Sequence, residues 1–225
     1  MYCQKCGNQI QDGATTCPQC SAVVTAPNPA AMAADRVKAA SRDAVKALKL
    51  FVTNPVAGLS VAFDALGETR ALAAGIVFGV TCALLVVLAS YRLLPEWGRP
   101  HGFTGLLKIL IAATVPVVSL FGATLLARKS FGGKGSVGHD SFISGAASLP
   151  FGIVAILGAV LGLGNIEVIS LFAIFALCTT ILMLFAGLTR INKTSERAAT
   201  LAVPLMLVAT AWLSKIIYAA LLKEL

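Results

Sequence analysis

Residues 71–90, ALAAGIVFGVTCALLVVLAS, run for twenty positions without a charge. At about 1.5 Å of rise per residue, a helix of that length reaches about 30 Å, the thickness of a bilayer's hydrocarbon core. Lipid offers no water to unpaired backbone groups, so such a segment must satisfy them internally, as a helix does. Four more runs of similar character follow at about 104–127, 142–164, 168–189 and 198–222. Only 12% of the 225 residues are charged, against about 25% in soluble domains, so the five runs dominate the chain. The fold expected is an all-α polytopic membrane protein, with a five-helix transmembrane bundle occupying residues 70–225.

Five crossings leave the two termini on opposite sides, and the cations indicate which is which. Thirteen of the eighteen Lys and Arg residues lie before the first span or in the connections after the second and fourth. Five lie on the other side, and the connection between the third and fourth spans has none. Cytoplasmic loops carry the excess of Lys and Arg. A multi-pass protein of the inner (plasma) membrane is therefore expected, with a cytoplasmic N-terminus and a C-terminus across the bilayer. The polar start of the chain has no basic-then-apolar signal pattern, so insertion is expected to use the first internal apolar run.

The start of the chain has a different chemistry. Cys3, Cys6, Cys17 and Cys20 form two C-x2-C pairs separated by ten residues. Two intervening residues let both sulfurs of a turn point at one centre, and two such turns supply a tetrahedral sulfur set suited to zinc. Gly7 follows the first pair, where a tight knuckle calls for positive φ, and Pro18 stiffens the second. A ribbon spanning residues 1–22 has no core of its own, so bound Zn2+ is expected to supply its folding energy. Four protein ligands leave no place for a catalytic water, which makes the ion structural. Two disulfides are the alternative, disfavoured on a reducing cytoplasmic face. A redox CxxC would require a βαβ pattern that is not there.

Residues 2–20 resemble the small zinc ribbon found at the N-terminus of many bacterial membrane proteins, YCxxCGxxI…CPxCG, through Tyr2, Gly7, Ile10 and the four cysteines. Thr16 stands where that pattern often has an aromatic, and Ser21 where it usually has glycine. The resemblance implies a module that binds protein or nucleic acid. The only charges in residues 1–20 are Lys5 and Asp12, and Tyr2 is the single aromatic. A basic footprint for nucleic acid is missing, so a cytoplasmic protein partner is expected.

An uncharged Ala/Pro-rich stretch at 23–34 suits a flexible or extended tether. Residues 35–69 are expected to form two amphipathic interfacial helices. In the first, Lys38, Arg42, Lys46 and Lys49 flank an apolar side that includes Val37, Ala44, Val45, Leu48, Phe51 and Val52. Such a helix can lie on an anionic membrane surface; a solvated helix packed on the ribbon is the alternative. Asn54-Pro55 then caps a second helix carrying Val56, Leu59, Phe63 and Leu66, with Gly67 ending it.

FGGKGSVGHDSFISGAASLPFGI (131–153) joins the second and third spans. A phosphate loop would need Ser or Thr after Gly-Lys and a strand before it; here Gly135 follows Lys134, so nucleotide binding is set aside. The expected roles are Lys134 at the lipid headgroups and Ser141 or Asp140 as cap of the third span. Gly75-x3-Gly79 and Gly158-x3-Gly162 would permit close helix approach, and Pro116, Pro150 and Pro204 would kink spans two, three and five. The Gly-Gly-Lys-Gly-Ser loop, Leu149-Pro150 and the Asn54-Pro55 helix together resemble the Yip family of five-span membrane proteins over residues 50–222. Eukaryotic members of that family act in vesicle trafficking and bind small GTPases or one another.

Catalysis in a bilayer needs ionisable groups at depth. His101 and His139 fall in opposite loops, and no G-x-S-x-G occurs, so no enzymatic role is expected. Glu167, beside Asn165 at the start of span four, and Lys215 form a conceivable intramembrane polar pair; headgroup-level snorkelling explains both as well. Two functions from different classes remain. One is a non-enzymatic membrane adaptor whose ribbon recruits a protein partner. The other is a small-solute or lipid transporter or channel regulated by the ribbon, for which a homo-oligomer would supply the pore or lipid path.

Overall fold

The computed structural model describes residues 3, 5–9, 17–21, 29–93, 102–162 and 166–222; Tyr2, Ile10, Asp12, Thr16, Asn165 and His101 lie outside the described residues. Six helices account for most of them: α1 (Pro29–Thr53), α2 (Ala57–Leu93), α3 (Gly102–Ser130), α4 (Val137–Val160), α5 (Ile166–Ala186) and α6 (Glu196–Leu222). A π-helical turn, Gly187–Ile191, continues α5. Helices α2 to α6 are each long and apolar enough to cross a membrane, and no strand forms among the described residues. Among the described residues the protein is therefore an all-α chain of six helices, five of them of spanning length, and belongs to the polytopic membrane class. It divides into two compact units, Met1–Ala39 and Ala40–Leu225.

In the larger unit, α4 is the central element. Every residue from Asp140 to Leu149 is buried, which requires neighbours on all sides. The tightest neighbour is α2. A Cβ at Gly75 would collide with the Ser141 carbonyl, and one at Gly145 would collide with the Gly75 backbone. A Cβ at Gly152 would come within 3.1 Å of the Cys82 Cα. The two backbones thus touch where side chains are missing, as small residues permit in lipid-buried helices. Cys82 donates its thiol to the Ser148 carbonyl at 3.1 Å, and Thr180 of α5 donates to the Ala147 carbonyl at 2.8 Å. Gly75 and Gly79 behave as the spacing predicts, with a Cβ at Gly79 meeting Val117 at 2.8 Å. Gly158 does not: its missing Cβ would meet nothing within 4 Å. The pair Gly158-x3-Gly162 lies where α4 ends, and Gly162 serves as a positive-φ terminator (φ 62°).

Gly67 interrupts α2 with φ 69° and ψ 166°, conformations that glycine alone adopts cheaply. The Asn54 side chain caps the segment before it, accepting from the Ala57 N–H at 3.0 Å. That short helix turns its apolar stripe into the bundle. Leu59, Ala62 and Leu66 belong to the buried core of the bundle, and Phe63 stacks on His139 with ring centroids 4.5 Å apart. Its apolar stripe found protein before it found lipid. The first helix behaves likewise, since Ala44 and Ala47 are buried in the same core while Val45 remains exposed. An Arg70–Asp43 ion pair at 3.9 Å links α1 to α2.

Two boundaries also move. Residues 29–34, expected within the tether, already belong to α1; Pro29 can open a helix because the first turn needs no N–H donor, and four alanines favour continuation. Span three starts at Val137 rather than near residue 142. Its cap is Ser136, whose N–H donates to His139 Nδ1 at 3.1 Å, and not Asp140 or Ser141. Both of those residues are inside the helix and buried.

Candidate metal centre and the buried loop network

In the smaller unit each C-x2-C pair forms a knuckle with the same backbone hydrogen bond. Gly7 N–H donates to the Cys3 carbonyl at 2.8 Å, and Ser21 N–H donates to the Cys17 carbonyl at 2.9 Å. Both closing residues have positive φ, 73° at Gly7 and 53° at Ser21. The first uses glycine for this, while the second forces a β-carbon into the left-handed region.

The knuckles bring four sulfurs together. Cys3 and Cys20 Sγ are 3.6 Å apart, as are Cys6 and Cys17, and all four lie within 4.8 Å of one another. No pair is disulfide-bonded. Zinc–sulfur bonds of about 2.3 Å in a tetrahedron place sulfurs roughly 3.8 Å apart, so the donor set fits Zn2+. Electrostatics favour the ligand form at Cys3 and Cys17, while the hydrogen bond with Cys3 raises the Cys6 thiol. Backbone N–H groups of Lys5 and Cys6 point at Cys3 and draw its thiol down to about 6. Those of Gln19 and Cys20 lower Cys17. Thiolates held by backbone dipoles can take a cation without first paying to be deprotonated.

A second polar cluster lies at the end of the larger unit where α3 meets α4 and α5 meets α6. Asp140, fully buried, accepts from Arg128 Nε at 2.7 Å and from Asn192 Nδ2 at 2.9 Å. The Asn192 carbonyl takes the Lys134 N–H at 2.8 Å, so the Gly132–Ser136 loop rests on the 192–194 turn. A Cβ at Gly135 would collide with Asn192 Oδ1, and Lys193 closes the turn with φ 54°. Both Asp140 oxygens are engaged, which stabilises a carboxylate out of water. Sequence reasoning took Asp140 for a cap. The available signal was an acid next to the start of a spanning run, which calls for a partner if it is buried, but nothing in the sequence pointed to Arg128 and Asn192 as its partners.

The remaining residues singled out from the sequence are on the surface. Lys38, Arg42, Lys46 and Lys49 are exposed on α1, and Lys134 is exposed in its loop. Glu167 is exposed in the first turn of α5. Lys215 is exposed on α6, bordering a cleft whose other lining residues, among them Pro116 and Tyr218, come from α3 and α6.

The comparisons with known proteins agree with the metal site. Residues 2–24 match the family model of a zinc-ribbon domain, so the chain carries an N-terminal zinc ribbon whose four cysteines are placed to hold structural zinc. No curated protein and no solved structure matches the chain.

Proposed function

We propose that this protein is a non-enzymatic adaptor of a bacterial plasma membrane. Its bundle is a Yip-like anchor, and its zinc ribbon, on the cytoplasmic side, recruits a protein partner. The observation that carries the reading is the closed sulfur site. Four converging cysteine sulfurs fill a zinc ion's coordination, and a filled zinc shapes a surface instead of activating water. The Yip likeness is supported by the Gly132–Ser136 loop seated on the 192–194 turn, by Leu149-Pro150 inside α4 and by the Asn54 cap. Arg128, Lys129, Lys134, Arg190, Lys193 and Arg197 gather in the two loops at one end, which supports a cytoplasmic placement for that end and for the N-terminus. Expected at the opposite side is the C-terminus.

Two features weigh against conduction of solutes. The cleft between α4 and α5 has a single polar side chain in its lining, and the charged cluster around Asp140 is plugged by its own hydrogen bonds. The decisive experiment is proximity labelling from the N-terminus in intact cells, comparing the native chain with Cys3→Ser/Cys6→Ser. The adaptor reading expects a set of cytoplasmic proteins labelled by the native chain and lost in the variant, with both forms still inserted. Identical labelling patterns would refute it, as would solute flux through the purified protein in liposomes.

A further inference from the structure

Hydroxyls inside the spans are mostly satisfied by their own helix. Those of Thr81, Ser90, Thr124 and Thr179 each donate to the carbonyl four residues earlier, the local bond open to any Ser or Thr in a helix. Thr210 and Ser214 of α6 depart from this. Both hydroxyl oxygens are buried, and neither has a hydrogen-bond partner among the described residues. Four residues separate the two and four more lead to Tyr218, so the three share one face of α6. Tyr218 is engaged: its hydroxyl donates to the Ala112 carbonyl at 2.9 Å. That carbonyl is the one that Pro116, lacking an N–H, leaves open in α3.

A cleft of about 500 Å³ opens on this face between α3 and α6, a volume in the range of small-molecule sites. Ser214, only 7% exposed, lines it together with Lys215, Tyr218, Pro116, Ala211 and Ala219. No acid is among these residues, so the charge of Lys215 is not balanced within the cleft. Lys215 is five residues short of Ala220, where the apolar span ends, or about 7 Å along the axis. Glu196, at the other end of α6 beside the Asp140 cluster, is about 28 Å away. A cation inside a span marks a place for an anion. Snorkelling would satisfy Lys215 alone; it would leave the Ser214 hydroxyl buried and unmet, which is unfavourable. Trp212, next to Ala211, is exposed, so the bilayer reaches the edge of the cleft.

We infer that the α3–α6 cleft binds the carboxylate of a long-chain fatty acid. One oxygen accepts from the Ser214 hydroxyl and the other from the Lys215 ammonium, and the acyl chain runs past Ala211 toward the bilayer midplane. The number of donors selects this occupant. The Tyr218 proton is already committed to Ala112, so two donors remain, and a carboxylate presents two oxygens on a terminal carbon. A phospholipid phosphate would bring a second polar substituent into the same cleft. The rest of the lining, Pro116, Ala211 and Ala219, has no side-chain donor or acceptor to meet it.

The test uses the full-length protein in phosphatidylcholine vesicles that contain a trace of a photoactivatable oleic acid or of its methyl ester. Expected is several-fold stronger labelling of residues 208–219 by the acid, with competition by unlabelled oleate but not by phosphatidylglycerol. Lys215→Gln should bring the two probes level, whereas Lys215→Arg should keep the preference. Ser214→Ala should weaken the preference several-fold and leave the ligand-free melting temperature unchanged, because the hydroxyl it removes has no partner. Equal labelling by acid and ester in the native chain would overturn the inference, as would a preference that survives Lys215→Gln. Displacement of the acid probe by phosphatidylglycerol as readily as by oleate would also overturn it, assigning the cleft to a phospholipid phosphate.

Discussion

Single side chains carry much of the strain and much of the stability here. Ser21 occupies a left-handed conformation that Gly7 fills without cost in the matching knuckle. Ser21→Gly should therefore strengthen the ribbon by about 0.5–1 kcal/mol, read as tighter zinc retention against a chelator. The Cys3 thiol, drawn down to about 6, stays largely ionised at neutral pH and is protonated as pH falls through that value. Zinc competes with protons for the four thiolates, so its affinity for the ribbon should weaken steadily as pH falls, with release coming below the metal-free Cys3 value, measurable with a metal-sensitive dye. In the bundle, Asp140→Ala strands Arg128 and the Asn192 amide. Breaking a buried pair on one side costs about 3–5 kcal/mol, so a marked fall in Tm in detergent is expected. Arg128→Met/Asp140→Leu should recover part of it, because neither charge is then left buried alone.

Among the helices, the contact between α2 and α4 is decided by what is missing from Gly75 and Gly145. Two glycines of the same helix should respond in opposite ways. Gly145→Ala drives a methyl into the Gly75 backbone, where neither side can yield, and should destabilise the bundle by several kcal/mol. Gly158→Ala meets open space at ordinary helical φ and should be neutral or stabilising by up to about 1 kcal/mol. Thermal unfolding of the two variants side by side checks the assignment. The small-xxx-small spacing could not separate these cases. It records that a helix has a flat face, whereas the partner's backbone determines whether that flatness is used. The short helix before Gly67 shows the same thing: Val56, Leu59, Phe63 and Leu66 read as an interfacial stripe, and only packing made Leu59 and Leu66 core.

For the protein as a whole, the ribbon and the bundle are expected to be separable. Cys3→Ser/Cys6→Ser should abolish zinc binding yet leave the membrane-inserted fraction and the bundle's melting unchanged, as assessed by metal analysis and protease protection. Length and apolarity of five runs already determined that this chain forms spanning helices, because lipid tolerates no unpaired backbone. The spacing of four cysteines likewise determined a metal site, because coordination geometry is local to two short turns. Other features came only from tertiary structure: the burial of the α1 and α2 stripes, the seat of the Gly132–Ser136 loop and the partners of Asp140. Arg128 and Asn192 are 12 and 52 residues from Asp140 along the chain. Bonds over such separations depend on how helices dock, and a helix's own periodicity shows which residues share a face without naming what that face will meet.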